Sequence, residues 1–164
     1  MSSFLFNLVD IFNSMSKIIE LYTDGSSRGN PGPGGFGVIL KWGDREKELS
    51  GGFRKTTNNR MELLAVIEGL SVITRFDVPV EIWTDSKYVV DSVEKGWVFG
   101  WEKKNFSGKK NPDLWKRYLE VSRKFPSIKF HWVKGHVGHI MNERCDVLAT
   151  GATYNNIDTV YESL

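Results

Sequence analysis

Two stretches of this chain end in the same way. Leu21-Tyr22-Thr23-Asp24-Gly25-Ser26 and Ile82-Trp83-Thr84-Asp85-Ser86 both run from β-forming residues into Thr-Asp and then a small residue. Between them, Arg60-Met61-Glu62-Leu63-Leu64-Ala65-Val66-Ile67-Glu68-Gly69-Leu70 is a run of helix formers preceded by the N-cap chemistry of Thr57, Asn58 and Asn59. Strand, helix and strand in that order imply a right-handed crossover and a parallel pairing. Parallel neighbours lie ~4.8 Å apart, so Asp24 and Asp85 are expected to emerge together at one sheet edge. One Asp at a strand end is ordinarily a cap or turn residue; it is the recurrence that constrains the fold.

The remaining elements extend this unit to an α/β domain with five strands. A first strand over Ile18–Thr23 is followed by the glycine-rich Gly29-Asn30-Pro31-Gly32-Pro33-Gly34-Gly35-Phe36-Gly37. Gly32 to Gly37 formally matches the dinucleotide pattern G-x-G-x-x-G, but that fingerprint has to open a helix whose N-terminus holds pyrophosphate. Here Val38-Ile39-Leu40-Lys41-Trp42 continues as a strand, so we read a loop leading into a second strand. Gly43-Asp44 makes a turn into a third strand, Lys47–Phe53, completing an antiparallel meander. Val80–Thr84 and Ile128–Val133 are the fourth and fifth strands. Short helices are expected over Ser86–Lys95 and from Asn111 onward, and a closing helix over Asn142–Thr153.

At 164 residues, 40% hydrophobic and 26% charged, the chain suits one domain with a substantial core. The formal charge of +2 says little about partners, but Lys95, Lys103, Lys104, Lys109 and Lys110 against Glu102 make one locally basic segment. The lone Cys145 excludes an internal disulfide and suits a reducing, cytoplasmic setting. Residues 1–16 place apolar side chains at helical spacing (4, 5, 8, 11, 12, 15) but lack a basic leader region. We expect neither a signal peptide nor a membrane span, which needs ~18 consecutive apolar residues. This N-terminal extension could pack on the domain or on a partner; with Met15-Ser16-Lys17 as a second plausible start, we expect it to be dispensable. The expected domain covers 17–154, followed by a tail over 155–164.

Glu62, within the first turn of its helix, and Asp146, in the first turns of the last one, would each return toward Asp24 and Asp85. Four carboxylates without thiolates suit hard divalent ions, and phosphodiester hydrolysis is served by two such ions roughly 3.5–4 Å apart. A zinc site from His136, His139 and Cys145 is disfavoured, since structural zinc normally closes with four ligands and there is no second Cys. His136, in a glycine-flanked loop, suits proton transfer, whereas His131 in a strand suits a structural role.

These motifs resemble a known family. Thr23-Asp24-Gly25-Ser26, Gly29 to Gly35, Thr57-Asn58-Asn59-Arg60-Met61-Glu62, Thr84-Asp85-Ser86 and Trp132-Val133-Lys134-Gly135-His136 through Asn142-Glu143-Arg144-Cys145-Asp146 closely resemble bacterial ribonuclease HI, the type 1 ribonuclease H family, from about Lys17 to Tyr154. The resemblance implies a ribonuclease H-like fold: a five-stranded mixed sheet, antiparallel meander plus parallel strands, flanked by helices. It implies an endonuclease cutting the RNA strand of RNA–DNA hybrids to 5′-phosphate and 3′-hydroxyl ends with two Mg²⁺, or Mn²⁺ as substitute. Asp24 would bridge both metals, Glu62 and Asp85 would hold the leaving-group metal, Asp146 the other, and His136 would aid proton transfer or product release.

By the same resemblance Asn30, Asn58 and Asn59 contact the hybrid's minor groove near its 2′-hydroxyls. Lys55, Thr57 and Asn111 form a pocket for a DNA-strand phosphate. Lys87 stands where the family has glutamine, which puts its groove contact in question. The segment Lys95–Lys110 resembles the basic protrusion that meets the DNA strand, with Lys103 and Lys104 suited to phosphate. Trp97 and Trp101 equally suit stacking on substrate or seating a helix on the core. The expected enzyme is a cytoplasmic monomer without membrane attachment. The alternatives are a non-catalytic nucleic-acid binding module, which the intact acid set opposes, and another metal-dependent nuclease of the same fold.

Overall fold

The computed structural model describes residues 17–135 and 138–155. The N-terminal extension, the tail from 156 onward and His136 lie outside the described residues. β1 (Ile19–Ser27) is the middle strand of a five-stranded sheet in the order β3-β2-β1-β4-β5. It pairs antiparallel with β2 (Gly32–Trp42), which pairs antiparallel with β3 (Arg45–Thr56). On its other side β1 pairs parallel with β4 (Val80–Thr84), and β4 with β5 (Ile128–Trp132). The meander and the parallel half meet at β1, as the two Thr-Asp strands require.

Helix α1 (Asn58–Ser71) makes the crossover from β3 to β4 and packs on β1 and β2. Its N-cap is Thr57, whose hydroxyl accepts from the Arg60 N–H at 3.3 Å. Leu21, Val38, Met61, Leu63, Ile67, Leu70, Val80 and Ile82 are fully buried between helix and sheet, each contributing roughly 1.5–3 kcal/mol through burial. α2 (Lys87–Glu94), capped by Ser86, is followed by α3 (Trp97–Lys103) and by α4 (Pro112–Ser122), which packs against α1. α5 (Ile140–Asn155) lies across β2, β1 and β3. Alternation along β2 sends Val38 toward α1 and Gly35 and Gly37 toward α5, so the two helices cover opposite faces of the sheet.

Three expectations need correction. The glycine-rich stretch from Gly32 is not a loop: β2 begins there and stays paired through Gly37. Its glycines serve close packing, since a Cβ on Gly35 or Gly37 would collide with the Ala149 or Cys145 carbonyl of α5. β1 does not end at Asp24. It continues to Ser27 against β2, while its pairing with β4 stops at Tyr22↔Trp83, so Asp24 lies where β1 runs beyond its parallel neighbour. Glu62 falls in the second turn of α1 rather than the first, because the helix starts at Asn58.

The two tryptophans of the basic segment part company. Trp101 packs on the core, edge-on to the fully buried Trp115 with ring centroids 5.9 Å apart, while Trp97 is 47% exposed. Spacing by four aligns them along one short helix, yet Trp97 faces out while Trp101 packs inward. His131 has the surroundings of a structural residue: it stacks on Trp83, which stacks on Tyr22, and its Nε2 lies 2.6 Å from Glu81.

Candidate active site

Continuing the β1–β4 register two residues past Tyr22↔Trp83 brings Asp24 beside Asp85. Glu62 approaches from α1 and ties both strand ends together. The Gly25 N–H donates to Glu62 Oε1 at 2.9 Å, and the Thr84 hydroxyl donates to Glu62 Oε2 at 3.3 Å. This approach explains the glycine after Asp24: a Cβ at Gly25 would run into the backbone of Met61 and Glu62. Carboxylate oxygens of Asp24, Glu62 and Asp85 all lie within 4.8 Å of one another.

Glu62 is 7% exposed and Asp24 3%. Burial pushes the Glu62 carboxyl well above its ordinary range, and the charges of Asp24 and Asp85 push it further the same way. Such a group holds a proton or a cation. Hard oxygen donors at this spacing are the donor set for a divalent metal ion. Asp146 sits in the second turn of α5, half-buried, and is not part of that close group. Glu62 and Asp146 arrive from helices on opposite faces of the sheet, so their separation depends on how both helices dock.

The zinc alternative loses its thiolate here. Cys145 is fully buried against β2, and burial pushes its thiol up to about 12.

The asparagines meet at the β1–α1 corner. Asn58 Oδ1 accepts from the Ser27 N–H at 2.7 Å, and Asn30 Oδ1 accepts from the Asn58 N–H at 3.1 Å. These backbone donors fix which end of each amide is oxygen, leaving the Nδ2 groups as the outward-available donors. Alongside runs a cleft of about 560 Å³ lined by Asn30, Thr57, Asn59, Arg60, Lys110, Asn111 and Asp113. Thr57 and Asn111 line one cleft, whereas Lys55 is not in its lining and is exposed at the end of β3. Lys110 lines the cleft instead.

Sequence reasoning missed Arg60. It is buried at 6% exposure, makes paired bonds to Asp113 at 3.0 and 2.7 Å, and reaches Asn111 Oδ1 at 3.2 Å. Nothing in a helix-start pattern marks an arginine as buried. The basic segment also carries cations over rings: Lys95 over Trp97 at 5.2 Å and Lys109 over Trp101 at 5.4 Å. Lys103 and Lys104 are exposed at the end of α3. Lys87 lies with its ammonium over Trp132.

Comparison with known proteins agrees with this arrangement. Residues 16–154 match the family model described as RNase H. The chain is 51% identical over 145 residues to the ribonuclease H of Desulforamulus reducens, covering 85% of this chain and 90% of that one. It is 53% identical over 131 residues to the ribonuclease HI of Helicobacter pylori, covering 80% and 90%. Among solved structures, LC9-RNase H1, described as a type 1 RNase H with the type 2 active-site motif, superposes with a TM-score of 0.77 at 30% identity, over 86% of this chain and 74% of that one. LC11-RNase H1, solved in complex with an RNA/DNA hybrid, gives 0.63 at 27% identity, over 82% and 96%. A buried acid group at the point where two Thr-Asp strands meet, on this strand order and with these relatives, establishes that the chain belongs to the RNase H family of ribonucleases.

Proposed function

We propose that this protein is an endonuclease that hydrolyses the RNA strand of RNA–DNA hybrids, leaving 5′-phosphate and 3′-hydroxyl ends. The observation that carries the reading is the group Asp24, Glu62 and Asp85, whose oxygens lie within 4.8 Å of one another in a largely buried setting. Two Mg²⁺ ions, or Mn²⁺ in their place, supply activation of the attacking water and charge neutralisation at the phosphate when bound. Asp24 would be the ligand shared by the ions, Glu62 and Asp85 would hold one of them, and Asp146 would hold the other. Hydrogen bonds from Gly25 and Thr84 orient the Glu62 carboxylate before any ion arrives. His136 serves proton transfer or product release.

Substrate choice falls to the corner and the cleft. The Nδ2 donors of Asn30 and Asn58 suit acceptors in a wide minor groove, where a 2′-hydroxyl marks the RNA strand. The cleft with Thr57, Lys110 and Asn111 suits a phosphate of the DNA strand. Exposed Trp97 offers a stacking face, and Lys103 and Lys104 neutralise phosphates, whereas Trp101 seats the segment on the core. Such an enzyme works as a monomer in the cytoplasm; among the described residues no helix is long and apolar enough to cross a membrane.

Labelled RNA–DNA hybrid, double-stranded RNA, single-stranded RNA and double-stranded DNA, each with Mg²⁺ or chelator, test this reading. We expect cleavage of the hybrid's RNA strand alone, and only with metal. Cutting of double-stranded DNA, or activity indifferent to chelator, overturns it.

A further inference from the structure

Trp132, the last residue of β5, is an indole left 42% exposed beside a group of acids. Its position is nonetheless fixed. The Nε1–H donates to the backbone carbonyl of Asp85 at 3.1 Å. The next residue, Val133, donates its N–H to the Thr84 carbonyl at 2.9 Å. Two consecutive carbonyls at the end of β4 are therefore held from the end of β5, the first by backbone and the second by a side chain.

That second bond matters because strand pairing stops at Thr84↔Trp132. Asp85 stands between the last ladder pair and Ser86, the N-cap of α2. The indole N–H anchors the Asp85 carbonyl past the last ladder pair and so limits displacement of the backbone that carries the Asp85 carboxylate toward Asp24 and Glu62.

The same ring carries a cation. The Lys87 ammonium lies 4.5 Å from the Trp132 ring centroid, and Lys87 is exposed. Among the described residues it has no carboxylate partner, although three acids cluster next to its segment. An ammonium resting on a π-face keeps its hydrogen-bond donors available, which salt-bridging to a carboxylate would consume.

We infer that Trp132 is a positioning residue of the acid site, holding the Asp85 carbonyl through its N–H while its ring presents Lys87 to a backbone phosphate of the bound strand. This rests on the hybrid-nuclease reading, and it assigns Lys87 a phosphate contact in place of the groove contact of a glutamine. Lysine is a point charge suited to phosphate and unsuited to bidentate reading of a base edge.

Indole hydrogen exchange in the metal-free protein tests the bond without any turnover. Trp97 is the internal reference, being similarly exposed at 47% and having no acceptor for its N–H among the described residues. The Trp132 Nε1–H is expected to exchange at least about tenfold more slowly, as a bonded group does; equal rates overturn the proposal. Trp132→Phe keeps a ring and loses the donor. Its kcat on hybrid should fall about three- to tenfold, the range of one lost neutral hydrogen bond, with a smaller change in KM; an unchanged kcat overturns the positioning role. Lys87→Met should weaken hybrid binding measured in chelator and lower the slope of log K against log salt by about 1. An unchanged slope overturns the phosphate contact. If wild type fails to cut hybrid while its Trp132 indole is protected, the functional reading fails and the Asp85–Trp132 bond stands. Should Trp132→Phe not fold, the exchange and salt-slope measurements still decide.

Discussion

Two residues apart on α1, Arg60 and Glu62 are buried to nearly the same depth, at 6% and 7% exposure, and meet opposite surroundings. Arg60 finds a carboxylate and an amide, Asp113 and Asn111, arriving at the start of α4. Glu62 finds two more acids at the ends of β1 and β4. The consequences for ionisation run in opposite directions. Hydrogen bonds from Arg60 hold Asp113 below its ordinary value, whereas burial and like charges hold Glu62 well above. The charge of Arg60 is met by a carboxylate within the chain, whereas Glu62 gathers only like charges, which a cation would offset. Burial depth alone therefore does not separate a structural charge from a functional one, but the sign of its neighbours does.

The strongest way to break this comparison is Asp24→Asn. Turnover should fall by ~10³ or more, the scale of losing several kcal/mol of transition-state stabilisation, while hybrid binding survives. In chelator the variant should melt higher than wild type, because one of three crowded like charges is gone. Mg²⁺ at a hundredfold excess over its Kd should stabilise wild type by ~2.7 kcal/mol and the variant much less. Substantial residual activity would refute the bridging role, and a lower melting point in chelator would refute the account of crowded charges.

Asp113→Ala probes the opposite partner. It strands a buried guanidinium, and a loss of ~2 kcal/mol at neutral pH is expected in denaturant titrations, less than for a fully buried pair because Asp113 itself is 59% exposed. The pH dependence follows from the depressed carboxyl. The Asp113 contribution is complete above the unfolded value near 3.8 and is lost as pH falls through the lower folded value. The gap between wild type and variant should thus close in that acid window; a gap that persisted there would assign the loss to packing.

The smallest effect lies outside both regions. Deleting residues 1–14 should change stability by less than ~0.5 kcal/mol and leave hybrid cleavage intact. A large drop in melting temperature would make that segment part of the fold.

Much of the architecture was legible because its signals are local. Runs of β-forming residues, the Gly43-Asp44 turn, the Thr57 cap and the repeated Thr-Asp strand ends are written in neighbouring residues, and they sufficed for the mixed sheet and its crossover. Gathering Asp24 and Asp85 also followed, since parallel register carries both past the last pair. Local signals failed where the partner is distant. The glycines of β2 look like a loop until α5 is seen pressed against Gly35 and Gly37. Trp97 and Trp101 carry the same periodicity, and only the position of Trp115 separates them.

What the sequence determined by itself was the order of the five strands and most of the helices, and the chemical type of the site: oxygen donors, no thiolate cage, a basic segment. Only the tertiary structure decided which charges are completed and which are left for a cation. That Arg60 meets Asp113 across 53 positions depends on how α4 docks against α1, and that Trp132 reaches the Asp85 carbonyl across 47 positions depends on how β5 pairs with β4. Burial and pairing are properties of distances between elements, and no local pattern of residues encodes them.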